Sequence, residues 1–357
     1  MILLLGASGL LGHNVLRLLL ERGLRVRVLL RPGSDLLPLE GVSLSELEAV
    51  RGSLLDYPTL LRAAEGCEAV INCAGTTDMR LPRVEDFYPV NRDLPTLLAR
   101  LLVESGVRTL VHTSTANTIA AGTRMHPTDE SAPFAAPFDR SPYAISKREG
   151  EEQLLSSVPA GRRVIIVCPG FLLGPYDAKP SSATLLLAAC RRNPVRSVAR
   201  RSAAPGDCSE APVGLSGGAL PFRVRGRALM AGPRGGKSFL HVRDAATAIA
   251  NALERGESGR YLLTGESLTL QEFYALQAQV CGYHQRFLPL PDGLVRAVGR
   301  LGDALGRLGI HTLLCTHNTD QLLIEEWYDT GKAERELGLP HTPVAQAIRD
   351  YFTWRHT

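Results

Sequence analysis

No stretch of this 357-residue sequence runs uninterrupted through the roughly 18 apolar residues that a membrane-crossing helix needs, so no transmembrane span is expected. The seven cysteines, Cys67, Cys73, Cys168, Cys190, Cys208, Cys281 and Cys315, include no Cys-x-x-Cys pair and no regular spacing. An odd, scattered set reads as free thiols of a reducing compartment, and excludes a disulfide frame or a zinc site. No His, Asp and Glu set has metal-ligand spacing, so no metal is expected. The first residues lack a basic segment ahead of their short apolar run, which argues against a signal peptide and makes the cytoplasm the expected location. There is no internal repeat. Net charge is only +4, too little to imply a nucleic-acid partner. Ten Arg or Lys against two acids lie between Ala188 and Lys237, so the rest of the chain is net negative. That local basic stretch lacks interleaved aromatics, and a solvated loop is its plainer reading.

What is present is a hydrophobic fraction of 45%, enough for a substantial core, on a length that suits two domains or one large domain with an appended lobe. The chain is organised around its first twelve residues, Met1-Ile2-Leu3-Leu4-Leu5-Gly6-Ala7-Ser8-Gly9-Leu10-Leu11-Gly12. A strand-length apolar run ends at Gly6, glycines recur every third residue, and Val15–Glu21 reads as a helix. Strand, glycine turn and helix N-terminus together make a phosphate cradle. Gly6 turns the chain, Gly9 lets backbone approach a pyrophosphate, and Gly12 lets the helix pack on the strand. Gly6, Ser8, Gly9, Leu10, Leu11 and Gly12 are therefore candidate dinucleotide ligands.

Gly23 closes the helix and Arg25–Leu30 alternates into a second strand, broken by Arg31-Pro32-Gly33-Ser34. In a dinucleotide fold the end of this strand faces the adenosine ribose. An acid there accepts the ribose hydroxyls and repels a 2′-phosphate, and an arginine does the reverse. Arg31, with no acid before Asp35, favours NADP(H), with NAD(H) as the alternative. A third strand is expected to end near Arg51–Leu54, followed by a helix with Asp56 as N-cap and Pro58 in its first turn. Cys67–Gly75, Val107–Thr115 and Arg163–Cys168 read as further strands, with helices over Asn91–Val103 and from Ser141 or Pro142 onward. Apolar strands alternating with helices imply an α/β fold, a parallel sheet covered on both faces.

Beyond Pro169 the regularity fades. Residues 191–237 read as a mobile basic insertion, and order is expected to return at Phe239, with a helix over Ala245–Arg255 and a strand over Tyr261–Gly265. Helices are expected over 269–281 and 292–308. In the latter, Leu294, Val295, Val298, Leu301, Leu305 and Leu308 form one apolar face. Packing within the second lobe is its plainer reading; the sharper one is a lining for an apolar substrate or a membrane-surface contact. His13, His112 and His241 lie in or beside apolar elements and read as satisfied structural histidines.

Tyr143 and Lys147 stand four apart, on one helix face. A phenol ordinarily titrates near pH ~10, too high for ready exchange near neutrality. A lysine ammonium close by favours phenolate and brings the phenol toward the useful range. The same ammonium can bind a nicotinamide ribose.

These features resemble the extended short-chain dehydrogenases/reductases over nearly the whole length. The resemblance rests on Gly6-x-x-Gly9-x-x-Gly12, Cys73-Ala74-Gly75, Asn91, Thr113-Ser114-Thr115, Tyr143-x-x-x-Lys147, Pro169-Gly170-x-x-x-Gly174-Pro175 and His241-Val242-Arg243-Asp244. It implies a Rossmann-type doubly wound sheet with a smaller, mostly helical C-terminal substrate lobe. On that basis residues 1–169 and 238–265 form the dinucleotide-binding domain, and 170–237 and 266–357 the substrate lobe. Tyr143 is implied as proton donor and acceptor, and Lys147 as its tuning partner and ribose ligand. Thr115 matches the family's catalytic Ser/Thr, with Ser114 one residue away and aimed oppositely. Cys73, Ala74, Gly75 and Thr113 fall in the cofactor motifs; Pro169, Phe171 and Leu172 match the turn beside the nicotinamide. Ser53 and Leu54 match an adenine-contacting Asp-Leu pair, with Ser53 a departure, as are the long insertion and Cys168.

Three reactions share this scaffold. A sugar-nucleotide dehydratase needs an acid pair after its Thr, where this chain has Ala116-Asn117. A nucleotide-sugar 4-epimerase holds NAD and usually has an acidic end to the second strand, against Arg31. What remains is a reductase or dehydrogenase. Arg31–Ser34, Gly174–Pro180 and Trp327–Gly338 look most like the dihydroflavonol-reductase, 3β-hydroxysteroid-dehydrogenase and hopanoid-associated group. That resemblance implies a bulky, largely apolar ketone or alcohol as partner, and suggests a dimer. A non-catalytic NADP(H) sensor stays open as the alternative of another class.

Overall fold

The computed structural model describes residues 1–178, 183–192, 227–310 and 312–356. Residues 193–226 of the expected insertion lie outside them. The strands of the main sheet are β1 (Ile2–Leu5), β2 (Val26–Leu30), β3 (Leu47–Arg51), β4 (Ala69–Asn72), β5 (Thr109–Thr113) and β6 (Arg163–Pro169), which β7 (Phe171–Leu173), β8 (Arg227–Gly232) and β9 (Gly236–His241) follow in the chain, and then β10 (Gly259–Leu263). Their order is β10-β6-β5-β4-β1-β2-β3, every pair parallel. The order reverses between β1 and β4, which puts a crevice at the carboxyl ends of those two strands.

The strands are apolar throughout because both faces are covered. Ile2 and Leu4 of β1 pack into one core cluster with α1 (Leu10–Glu21); Leu3 and Leu5 point into the other, with α2 (Tyr57–Ala64) and α3 (Leu94–Glu104). The local signals act as expected. The Asp56 carboxylate accepts from Thr59 N at 3.2 Å with Pro58 in the first turn of α2, and the Ser141 hydroxyl caps α4 (Pro142–Ser157). α5 spans Ala183–Arg192 and α6 spans Val242–Arg255. α6 lies beside α1 in the first core cluster.

The remaining elements form a smaller body. β11 (Ser267–Thr269), β9 and β7 make a three-stranded sheet in the order β11-β9-β7, and β12 (His284–Pro289) pairs in parallel with β8. α7 (Leu270–Cys281) and α11 (Val344–His356) close its core, in which Phe239 stacks on Phe273 with centroids 4.5 Å apart. α8 (Asp292–Arg307), α9 (Thr316–Gln321) and α10 (Gly331–Leu337) complete the chain.

Two expectations change here. Order among the described residues resumes at Arg227, not Phe239, because β8 and β9 occupy the end of the segment read as an insertion. Gly236–His241 is buried at every position, yet it opens on Gly236, Lys237 and Ser238, so it shows neither an alternation nor an apolar run; Lys237 is accommodated by its ion pair with Glu326. The second change concerns α8. Of its six expected core residues only Val295 is buried; Leu294, Leu301 and Leu308 are 50%, 61% and 77% exposed. The face that meets the protein is made of glycine. A Cβ on Gly299 would fall 2.3 Å from Thr319 Oγ1, and one on Gly302 1.6 Å from Leu314 O.

Candidate active site

The glycine turn has the shape that a pyrophosphate needs. Gly6 has φ +81°, and a Cβ there would lie 2.5 Å from Ala74 N, so the turn packs directly on the end of β4. A Cβ on Gly12 would fall 2.1 Å from Gly6 O, so α1 can approach β1 only with glycine at this position. Gly9 is different. It is exposed, and a Cβ would meet nothing closer than Gly6 O at 3.5 Å. The two flanking glycines thus hold the turn closed, and the middle one leaves open backbone at a helix N-terminus, a fit for an anion. The half-buried Leu10 and buried Leu11 continue into α1, and Ser8 is exposed beside Gly9.

At the end of β2, Arg31 is exposed. Arg51, the last residue of β3, is its neighbour in the register, since Leu30 pairs with Arg51. Arg51 reaches Asp35 at 3.2 Å and Ser34 O at 3.0 Å, which occupies the first acid after β2. Sequence reading picked out Arg31 and missed Arg51, whose place emerges only from the pairing of β2 with β3. Ser53 is exposed and its hydroxyl accepts from Leu55 N at 3.2 Å, while Leu54 is half-buried.

Under the crevice the polar residues are tightly arranged. Lys147 is 3% exposed; its Nζ donates to Thr113 O at 2.9 Å and lies where a Cβ on Gly75 would come within 3.1 Å. The Thr113 hydroxyl donates to Cys73 Sγ at 3.8 Å. Asn91, fully buried in a π-helical turn over Pro89–Asp93, accepts from Thr76 N at 2.8 Å and donates to Thr76 O and Ser146 Oγ. It thereby ties the segment after β4 to α4. A single π turn is a common device at functional sites.

Thr115 and Ser114 point as the alternation of a strand requires. Ser114 Oγ bonds the buried carboxylate of Glu151, which also accepts from Thr118 Oγ1 at 2.8 Å and pairs with Arg260 at 3.1 Å. Thr115 faces the other way; its hydroxyl accepts from Asn117 N at 3.3 Å and lies near enough to the Tyr143 phenol to favour its ionised form. The Glu151–Arg260 pair, which anchors the strand end behind Thr115, carries no local sequence signal, since its members are far apart in the chain.

Tyr143 is partly exposed as a residue, yet its hydroxyl is deep, and burial pushes the phenol up to about 12; the nearby Thr115 hydroxyl acts the other way. The expectation that Lys147 lowers this phenol is not met. The ammonium is held by Thr113 O, and its charge is felt instead by Cys73 and His112. Burial also brings Lys147 itself down to about 8. Cys168, buried just before Pro169, is pushed up to about 12 by burial, so it is an inert thiol. Pro169 ends β6, and after the single residue Gly170 the half-buried Phe171 and Leu172 open β7, so this segment is a strand break between two sheets.

The histidines divide. His241 accepts from Arg243 N at 3.0 Å and bonds Asp350 at 3.1 Å, a satisfied structural role. His112 bonds Asn72 on one ring nitrogen only. His13 departs from expectation. It is fully buried against the Tyr176 ring, with no hydrogen-bond partner on either nitrogen among the described residues. Burial holds His13 down to about 4 and His112 to about 3.

Comparison with known proteins places this geometry. The model of the NAD dependent epimerase/dehydratase family matches residues 2–209. The sterol demethylase protein B of Methylococcus capsulatus is 27% identical over 357 residues, 99% of this chain and 97% of that protein. A putative dihydroflavonol 4-reductase of Synechocystis is 25% identical, over 98% of this chain and 92% of that one. Among solved structures, that of gox2253 superposes with a TM-score of 0.74 at 24% identity, covering 100% of this chain and 98% of the other.

Proposed function

The chain belongs to the NAD-dependent epimerase/dehydratase family and is an NAD(P)-dependent oxidoreductase of the extended short-chain type, and from that premise we propose that it interconverts a ketone and a secondary alcohol on a bulky, largely apolar substrate, with NADP(H) as the preferred cofactor. The observation that carries this reading is the convergence of Thr115, just past the end of β5, with Tyr143 and Lys147 on α4, Lys147 buried against Gly75 and Thr113, and the Tyr143 hydroxyl near Thr115.

The dinucleotide's ligands in this reading are Gly6, Ser8, Gly9, Leu10, Leu11 and Gly12 for the pyrophosphate, Arg31 joined by Arg51 for the adenosine end, and Cys73, Ala74, Gly75, Thr113 and Lys147 toward the nicotinamide ribose. Ser53 and Leu54 flank the adenine, and Pro169, Phe171 and Leu172 flank the nicotinamide. When bound, the dinucleotide supplies or accepts a hydride. The chain's own residues handle the proton. A buried phenol titrating near 12 is fully protonated at neutral pH, the state that a donor to a developing alkoxide requires. Thr115, near the phenol, offers a hydroxyl to the same substrate oxygen. Lys147, titrating near 8, is mostly charged at neutral pH and is directed at the ribose side. Preference for a reductase over an epimerase rests on Arg31, just after β2, and Arg51, at the end of β3, since Arg51 takes up Asp35.

The test is mass spectrometry of ligands that co-purify with the protein, followed by a screen of apolar ketones with NADPH and NADH. NADPH-dependent reduction of a bulky ketone is expected. Cofactor binding with no turnover across the screen would favour the sensor, and interconversion of nucleotide sugars would replace the reading with an epimerase.

A further inference from the structure

α8 is built the wrong way round for a helix that only packs on its own protein. Its buried side carries Val295, Gly299 and Gly302, with Gly299 and Gly302 seated directly on α9 and the segment before it. Its leucines point away. Leu294, Leu301 and Leu308 recur every seven residues, which at ~3.6 residues per turn places them in one stripe along the helix. Ile310, Leu313 and Leu314, in the turn that follows, are about half exposed. Six large apolar side chains thus lie along one hairpin, more than the scattered single leucines of an ordinary surface.

The charges are sorted as well. Arg296, Arg300 and Arg307 occupy a second stripe between the leucines and the buried face, by the same geometry. Arg296 lies 3.8 Å from Asp320, whereas Arg300 and Arg307 make no ion pair among the described residues. The helix's internal acid, Asp303, is turned inward, bonded to Thr316 N at 3.0 Å and to Thr316 Oγ1. Asp292 stands at the first turn. The outward side therefore presents leucines with cations along one border.

We propose that the α8–α9 hairpin docks flat on an anionic lipid bilayer, with Leu294, Leu301 and Leu308 in the acyl boundary and Arg300 and Arg307 at the headgroups. An interfacial helix has this arrangement of apolar face and flanking cations. Among the described residues no helix is long and apolar enough to cross a membrane, and α8, about 24 Å long at ~1.5 Å per residue, lies on the surface. The hairpin is joined to the rim of the candidate site. Asn318 donates to Met79 O at 2.9 Å in the segment after β4, and Asn117, two residues beyond Thr115, bonds Gln321 at 3.3 Å.

The experiment is co-sedimentation of the full chain with vesicles of phosphatidylcholine alone and with phosphatidylglycerol added, with no substrate or cofactor, so that it reads docking independently of turnover. The protein should pellet with the anionic vesicles and be released by salt. The L294S/L301S/L308S variant should bind those vesicles at least about tenfold more weakly, and R300E/R307E should lose the preference for anionic lipid. Both should melt as the parent does, because these side chains are exposed. A parent protein that stays in the supernatant with both vesicles, or leucine and arginine variants that pellet like it, would overturn the proposal. So would a stable dimer in sedimentation velocity that the leucine variant dissociates, since a second copy would then cover the face.

Discussion

Gly9 and Gly12 stand three residues apart in one turn, and substituting each with alanine should separate folding from binding. In Gly12→Ala the new methyl would begin 2.1 Å from Gly6 O and 2.7 Å from Gly6 C, both backbone atoms of the turn itself. Relief to an ordinary contact near 3.4 Å requires more than an ångström of separation between α1 and β1, where Val15, Leu16 and Leu19 are fully buried. Overpacking of this kind costs about 1–3 kcal/mol, and in a chain this long each kcal/mol moves the melting temperature by roughly 1–2 °C. A fall of roughly 1–6 °C is expected, with cofactor affinity lost as the turn shifts. In Gly9→Ala the methyl meets only Gly6 O at 3.5 Å, and φ is −92°, so alanine is unstrained. Its melting temperature should match the parent within about 1 °C, a change below ~0.5 kcal/mol. The methyl would stand where a pyrophosphate must approach, so NADPH affinity should fall at least about tenfold, the loss of one charge-assisted hydrogen bond. Calorimetric melting and NADPH fluorescence titration of both variants read the two effects. Gly9→Ala binding as tightly as the parent, or Gly12→Ala melting with it, would refute the assignment of these glycines.

Arg31 makes the cofactor preference testable. Arg31→Asp should lower NADPH affinity by roughly tenfold to a hundredfold, the worth of one arginine–phosphate contact, and leave NADH almost unchanged; equal parent affinities for the two, by calorimetry, would count against a 2′-phosphate site. Acid should destabilise the fold through its buried histidines. Folded His13 and His112 titrate near 4 and 3, whereas in the unfolded chain both take up protons near ~6.5. Between about pH 4 and 6.5 the unfolded state therefore binds more protons, so stability rises with pH there by up to about 1.4 kcal/mol per unit for each histidine. Urea melts of the parent and His13→Gln across that window should show a shallower slope in the variant.

Much of the fold was legible because its signals are local. Leu3–Leu5 and Val164–Cys168 read as strands because both faces are buried, Asp56 with Pro58 and Ser141 with Pro142 mark helix starts, and three glycines mark the turn. β9 was not, since Gly236, Lys237 and Ser238 interrupt its apolar run and Lys237 is buried only through its pairing with the distant Glu326. Arg51 and the Glu151–Arg260 pair were invisible because strand register and ion pairing join distant residues. The Tyr143 phenol was misjudged for a related reason: YxxxK spacing puts Lys147 on the same helix face, but the ammonium is claimed by Thr113 O and burial decides the phenol. In α8 the apolar periodicity was real and its direction was not. Only the glycines' close seats on Thr319 and Leu314 tell which side meets the protein.

The central claim is that Tyr143 hands the proton to the substrate oxygen, and Tyr143→Phe tests it most directly, since it removes the hydroxyl and keeps the ring against Phe87. With the best ketone from the screen, steady-state reduction should slow by roughly 100-fold or more, the scale of losing a positioned acid, while NADPH affinity changes little. A Tyr143→Phe enzyme that reduces the ketone at the parent rate would contradict the account.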